Sequence, residues 1–173
     1  VIGDLTTNHS GIAHEWFRAA YAHPTAPEGA FYYFHDEAHT VYETWLDADT
    51  LPKFDWHSDE LRRRFIDGPE SVVGRWLCAP FGIDGWRIDV ANMTGRLGVQ
   101  DLNTEVRQTL RRTMIGIQPD TLLLAESTND AATDLQGDAW HGGMTYPAFT
   151  RGVWSWLADP RRERRRGRAG GTR

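Results

Sequence analysis

Two carboxylates close apolar runs in this chain: Asp89 ends Gly-Trp-Arg-Ile-Asp, and Glu126 ends Leu-Leu-Leu-Ala-Glu. They stand 37 positions apart, room for one helix and its loops, so both are expected on the same strand-end face. In α/β architectures that face holds the ligand site. A carboxylate that attacks and a carboxylic acid that protonates the leaving oxygen, about 5 to 5.5 Å apart, cleave a glycosidic bond with retention. Arg87, two residues before Asp89, points to the same side of its strand, where its charge would keep Asp89 ionised. Glu126 has no such neighbour in sequence, and a less polar setting would raise its pKa as a general acid requires. Spacing alone does not choose this chemistry, because an acid after a strand also serves as a helix N-cap and an Arg-x-Asp pair also serves as a structural ion pair.

The elements that must position these acids follow from periodicity. Val1–Leu5 runs from apolar residues into Thr-Thr-Asn-His-Ser-Gly, as a parallel strand does on entering a functional loop. From about Ile12 to Trp56 the pattern loses regular period and becomes rich in aromatics, Pro and Gly; a connection that long is usually functional. Ser58 is an N-cap candidate, followed by Asp59 and Glu60 and by Leu61, Phe65 and Ile66 on one face. Gly68-Pro69 interrupts this helix, and Val72, Val73, Trp76 and Leu77 resume helical spacing until Pro80. A strand in Gly-Ile-Asp-Gly-Trp-Arg-Ile-Asp follows, then a helix with Val106, Leu110, Met114 and Ile117 on its stripe. The continuous apolar run Leu122–Ala125 suits a strand buried on both faces. Beyond it we expect a short strand at Met144–Tyr146 and a Trp-rich helix after Pro147. Trp76, Trp154 and Trp156 are expected to pack in the core, and Cys78 to be buried; Tyr32, Tyr33 and Trp56 divide evenly between core and sugar stacking.

At 173 residues, with 40% hydrophobic and 25% charged, the composition is that of a folded globular chain. The single cysteine excludes an internal disulfide and any cysteine-based zinc site. The net charge of -5 conceals a basic end, since residues 161–173 hold seven Arg and one Glu. The acidic remainder does not suit nucleic acid, and no stretch is long and apolar enough to cross a bilayer. His23, His39, His57 and His141 lack zinc-like spacing.

The segments Val-Ile-Gly-Asp-Leu-Thr-Thr-Asn-His-Ser-Gly, Gly-Ile-Asp-Gly-Trp-Arg-Ile-Asp and Leu-Leu-Leu-Ala-Glu resemble three consecutive signature segments of the alpha-amylase family, glycoside hydrolase family 13, in the family's order. Leu-Pro-Lys-Phe-Asp-Trp is similar to the motif of its neopullulanase and cyclomaltodextrinase branch. The resemblance implies a TIM (β/α)8 barrel, here an α/β partial barrel of about strands 3 to 6. Residues 1–11 would end strand 3, residues 12–57 would form a short domain-B-like insertion, residues 58–158 would run from helix 3 to about strand and helix 6, and residues 159–173 would be a disordered or artefactual tail. It implies Asp89 as nucleophile, Glu126 as acid/base, and Asp4, His9, Arg87 and Asn92 as substrate-binding residues. Asn8 matches the calcium-ligating Asn of many members, although the chemistry itself requires no cofactor.

The implied activity is hydrolysis of α-glucosidic bonds in maltodextrin-like or cyclodextrin-like glucans, in the cytoplasm. A transglycosylase or a trehalose-synthase-like isomerase would use the same intermediate, and a non-catalytic sugar-binding or interaction relative is the reading from another class. The sequence departs from the family at Asn92-Met93, where typical members carry Lys-His, and the fourth segment with its His-Asp pair is not found after Glu126. His35-Asp36 lies before the nucleophile strand and reads as local structure. A whole barrel needs about 250 residues, so this chain is expected to be a piece of one and inactive alone.

Overall fold

Strand and helix alternate along the chain, and the principal strands align in parallel. The computed structural model describes residues 1–144 and 146–158; the expected tail at residues 159–173 lies outside the described residues. In chain order the elements are β1 (Ile2–Thr6), α1 (Glu15–Ala20), β2 (Thr44–Trp45), β3 (Ala48–Pro52), α2 (Asp59–Phe65), α3 (Val72–Leu77), β4 (Gly85–Asp89), β5 (Arg96–Leu97), β6 (Gln100–Asp101), α4 (Asn103–Ile117), β7 (Leu122–Ala125), β8 (Gly142–Gly143) and α5 (Gly152–Leu157). The main sheet has the order β1-β4-β7-β8, every pair parallel. Its register sets Asp4 beside Arg87 and Thr6 beside Asp89. Among the described residues no helix is long and apolar enough to cross a membrane.

Alternation along the strands separates two faces. Leu5, Trp86, Ile88, Leu123 and Ala125 are buried, and the core they join includes Val73 and Leu77 of α3 and Val106, Leu110 and Met114 of α4. Each of the larger aliphatic side chains among them contributes about 1.5–3 kcal/mol when fully removed from water. The intervening Asp4, Arg87 and Asp89 stay partly in solvent. Gly85 permits the close approach of β4 to β7, because a Cβ there would lie 2.0 Å from the Leu122 carbonyl oxygen.

The capping residues behave as their chemistry dictates. Ser58 Oγ accepts from the Leu61 N–H at 3.2 Å, and Ser71 Oγ accepts from the Gly74 N–H at 3.0 Å. Each satisfies a donor that its helix leaves unpaired.

Several expectations need correction. The last strand among the described residues pairs Gly142 and Gly143 with Leu124 and Ala125, ahead of the expected strand at Met144–Tyr146, whose middle residue lies outside the described residues. Two glycines join the sheet by backbone alone, so no side-chain pattern announces them. Trp76, Trp154 and Trp156 are exposed rather than buried in the core. Trp76 rests on Phe81 with ring centroids 4.4 Å apart, and α5 buries none of its residues; a helical stripe states which residues share a face but not that anything covers it. Cys78 is half-buried at the end of α3. Within residues 12–57, which have no period, the structure forms α1, a turn of 3-10 helix at Pro27–Phe31, and the β2-β3 hairpin.

Candidate active site

The strand-end acids converge on one guanidinium. Arg87 Nη1 donates to both carboxylate oxygens of Asp4 at 3.0 Å and to Asp89 Oδ1 at 2.9 Å, while Nη2 lies 3.1 Å from Glu126 Oε2. Three adjacent strands thus each deliver one carboxylate to a single fixed charge whose fork geometry suits shared carboxylate binding. The side chains of Asp89 and Glu126 remain 28% and 19% exposed, so the cluster is reachable from solvent.

Glu126 differs from the sequence expectation. Burial alone would raise its pKa, but the Val90 N–H bound to Oε2 at 2.9 Å, the Arg87 charge, contact with Asp89 and the Tyr146 hydroxyl 3.3 Å from Oε1 together hold it below the ordinary glutamate value. Arg87 is 39 positions away in sequence, and the sheet makes it a neighbour. Val90 presents that N–H with φ 48°. A β-branched residue in the left-handed region is strained, at a cost of about 1–3 kcal/mol. The strain falls on the peptide that links the two acids.

The other expected site residues surround this cluster unevenly. His9 follows β1, is buried, and stacks on Trp45 at 5.3 Å with an interplanar angle of 21°. Burial pushes its pKa down, Asp89 opposes that, and Lys53 adds to it. Asn92 leaves β4 and reaches Thr128 Oγ1 at 3.4 Å, bridging two strand-end loops. Asn8 is buried, with its amide nitrogen 3.2 Å from His9 Nδ1 and its carbonyl oxygen accepting from Lys53 Nζ. Lys53 also donates to the Met93 carbonyl at 3.2 Å, and burial lowers its ammonium to about 8 against the pull of Glu43. Among the described residues no group of three or more His, Cys, Asp or Glu is placed to hold a metal ion.

Sequence reasoning missed Lys53, Trp45, Val90 and Tyr146. Leu-Pro-Lys-Phe-Asp-Trp was the one available signal, for Lys53; the others depend on contacts between segments far apart in sequence. Trp56 and Tyr32 belong to the core, Trp56 being fully buried with its N–H on the Thr7 carbonyl at 2.9 Å. Asp36 accepts from Thr40 and Val41, and His35 meets Glu43, as local structure requires.

Comparison with known proteins gives this geometry a family. The model of the alpha amylase catalytic domain matches residues 1–163. A maltogenic alpha-amylase of Bacillus acidopullulyticus is 31% identical over 109 residues, covering 63% of this chain and 16% of that protein. A trehalose synthase/amylase of Mycolicibacterium smegmatis is 28% identical over 183 residues, covering 87% of this chain and 30% of that protein. The ligand-free cyclic alpha-maltosyl-(1→6)-maltose hydrolase of Arthrobacter globiformis superposes with a TM-score of 0.68 at 25% identity, covering 84% of this chain and 32% of that one. The chain therefore spans a third or less of each of these proteins. It belongs to the alpha-amylase family of glycosidases, and the relatives it resembles include maltogenic amylases, cyclomaltodextrinases and a neopullulanase.

Proposed function

We propose that the intact parent protein is a retaining glycoside hydrolase acting on α-glucosidic bonds of maltodextrin-like or cyclodextrin-like glucans. The carrying observation is the single Arg87 guanidinium that gathers Asp4, Asp89 and Glu126 from three neighbouring strands. Two carboxylates sharing one fork are compatible with the separation of about 5 to 5.5 Å that retention requires. Asp89 attacks the anomeric carbon, the bond to the leaving oxygen breaks, and Glu126 gives that oxygen a proton. Glu126 then takes a proton from water, whose oxygen displaces Asp89 from the sugar.

Glu126 must hold a proton for the first step, yet its contacts favour the carboxylate. Sugar binding between the two acids would loosen the Arg87 contact and restore acidity of the useful sort. His9 and Asn92 contact the bound sugar in this reading. The sheet then corresponds to about barrel strands 3 to 6, residues 12–57 to the inserted domain, and the rest of the barrel supplies the third carboxylate that this chain lacks. Alone, the chain is inactive.

The test is turnover of maltodextrin by the intact parent, with the anomer of the first product read by NMR. Retention in the parent and loss of turnover in Asp89→Asn support the reading; an inverted product from the parent, or an Asp89→Asn variant that still turns over, sinks it. The match to a trehalose synthase/amylase over 87% of the chain favours a second reading, transfer to a sugar hydroxyl instead of water. Trehalose formed from maltose by the parent would select it.

A further inference from the structure

We propose that Lys53 is the positioning cation of this site, its ammonium standing where the family resemblance would place calcium against Asn8. Of the 19 Lys and Arg residues in the chain, Lys53 is the only lysine. It is also 4% exposed. A chain that uses arginine everywhere else keeps one compact, three-donor point charge and buries it beside the candidate site.

Lys53 joins three segments, beside the shorter Thr7–Thr94 hydroxyl contact at 2.6 Å that links the loops after β1 and β4 without the insertion. Its Nζ donates to Asn8 Oδ1, after β1, and to the Met93 carbonyl, after β4. Its backbone bridges His9, donates to the Glu43 carbonyl at 2.9 Å, and accepts from the Tyr33 N–H at 3.4 Å. One residue of the insertion therefore contacts the loop carrying His9, the loop that follows Asp89, and two further segments of the insertion, at Tyr33 and Glu43. Removing the ammonium would release its two side-chain contacts, to Asn8 Oδ1 and the Met93 carbonyl, and leave the backbone bonds in place.

The donor set does not fit calcium. That ion takes six to eight oxygens, usually with several carboxylates, at about 2.3–2.6 Å. The oxygens around Nζ are two neutral carbonyls, no acidic cluster capable of holding a metal occurs among the described residues, and a resident ammonium repels a dication. Two neutral acceptors suit a single positive charge. Calcium therefore has no part in positioning this site, and Lys53 acts through Asn8 and His9 without touching the reacting atoms.

The inference takes the calcium position from the family, but its test reads metal binding and ring positions rather than turnover, so its failure and that of the glycosidase reading are separable. The 173-residue chain is melted in EDTA and in millimolar calcium, followed by tryptophan fluorescence, and titrated with calcium by calorimetry. The midpoint should be unchanged and the titration flat; a saturable calcium site or a calcium-dependent rise in the midpoint overturns the proposal. Labelling with 15N-lysine should give one side-chain ammonium resonance, protected from solvent exchange; a freely exchanging signal counts against it. In Lys53→Met, which keeps the length without the charge, the midpoint should fall by about 3 °C or more. The His9 ring resonances should move while those of His141 stay. A folded variant with wild-type melting and an unmoved His9 refutes the role, and should the variant not fold, the calcium and lysine measurements on the wild-type chain decide.

Discussion

The sheet ends and the inserted segment face the same site but are held by opposite means. At the sheet ends, Asp4, Arg87, Asp89 and Glu126 are charged, partly solvated and fixed by strand register. In the insertion, order comes from a pile of rings closed by Phe65 of α2: Trp16, Phe31, Phe54 and Trp56 meet one another or Phe65 edge to face at centroid distances of 5.3–6.4 Å. Such aromatic pairs add about 0.5–1.5 kcal/mol each beyond burial. Regular secondary structure positions chemistry by repetition, whereas an irregular segment must do so by specific contacts, residue by residue.

The largest expected effect lies at the sheet end and separates chemistry from stability. Asp89→Asn should lower turnover by the intact parent by more than about 10⁴-fold. Its effect on unfolding of the present chain should stay small, because Arg87 keeps Asp4 and Glu126. A large loss of stability would mean that the acid cluster, like the aromatic pile, is chiefly structural.

Trp56→Ala probes the other side. Losing a fully buried indole and its hydrogen bond to Thr7 should destabilise the chain by about 3–5 kcal/mol in denaturant unfolding. A single transition shifted as a whole would show that the insertion shares the sheet's cooperativity. Two separated transitions would make it a satellite of the sheet.

A smaller effect, about 1 kcal/mol, is expected for Ser58→Ala, which removes the cap of the helix that follows the insertion. Urea midpoints would detect it; no change would show that packing of Leu61 and Phe65 alone sets that helix.

Acid should distinguish the two regions by order of failure, with the smallest effect per group. Burial lowers the pKa of His14, against the pull of Glu15, and lowers that of His9 as well, so the unfolded chain binds their protons first. Stability associated with the insertion is therefore lost as pH falls below 6.5. Glu126 is also held below its ordinary value of 4.5, so its contribution persists down to that pH and is lost only beneath it. Fluorescence melts between pH 7 and 3 should show two successive declines; a decline only below 4.5 would remove the histidine part of the contrast.

The same contrast explains what could be read in advance. Strands β1, β4 and β7 and helices α2, α3 and α4 follow from apolar period and from Ser58, Gly68-Pro69 and Pro80 as punctuation. The pairing of Arg87 with Asp89 follows from two-residue strand alternation. Arg87 with Glu126 does not, because that contact is set by strand order, which no local pattern encodes. The fold of residues 12–57, and Lys53 within it, depends on contacts made only after the chain has closed upon itself. The position of β8 was illegible for a simpler reason, since Gly142 and Gly143 have no side chains to pattern.

The burial of the only lysine also has a practical consequence. Reagents that modify primary amines would find the Lys53 side chain shielded, so the rate at which they label it would report how often the insertion lifts from the loops after β1 and β4, a local opening that no change in the acids would be needed to reveal.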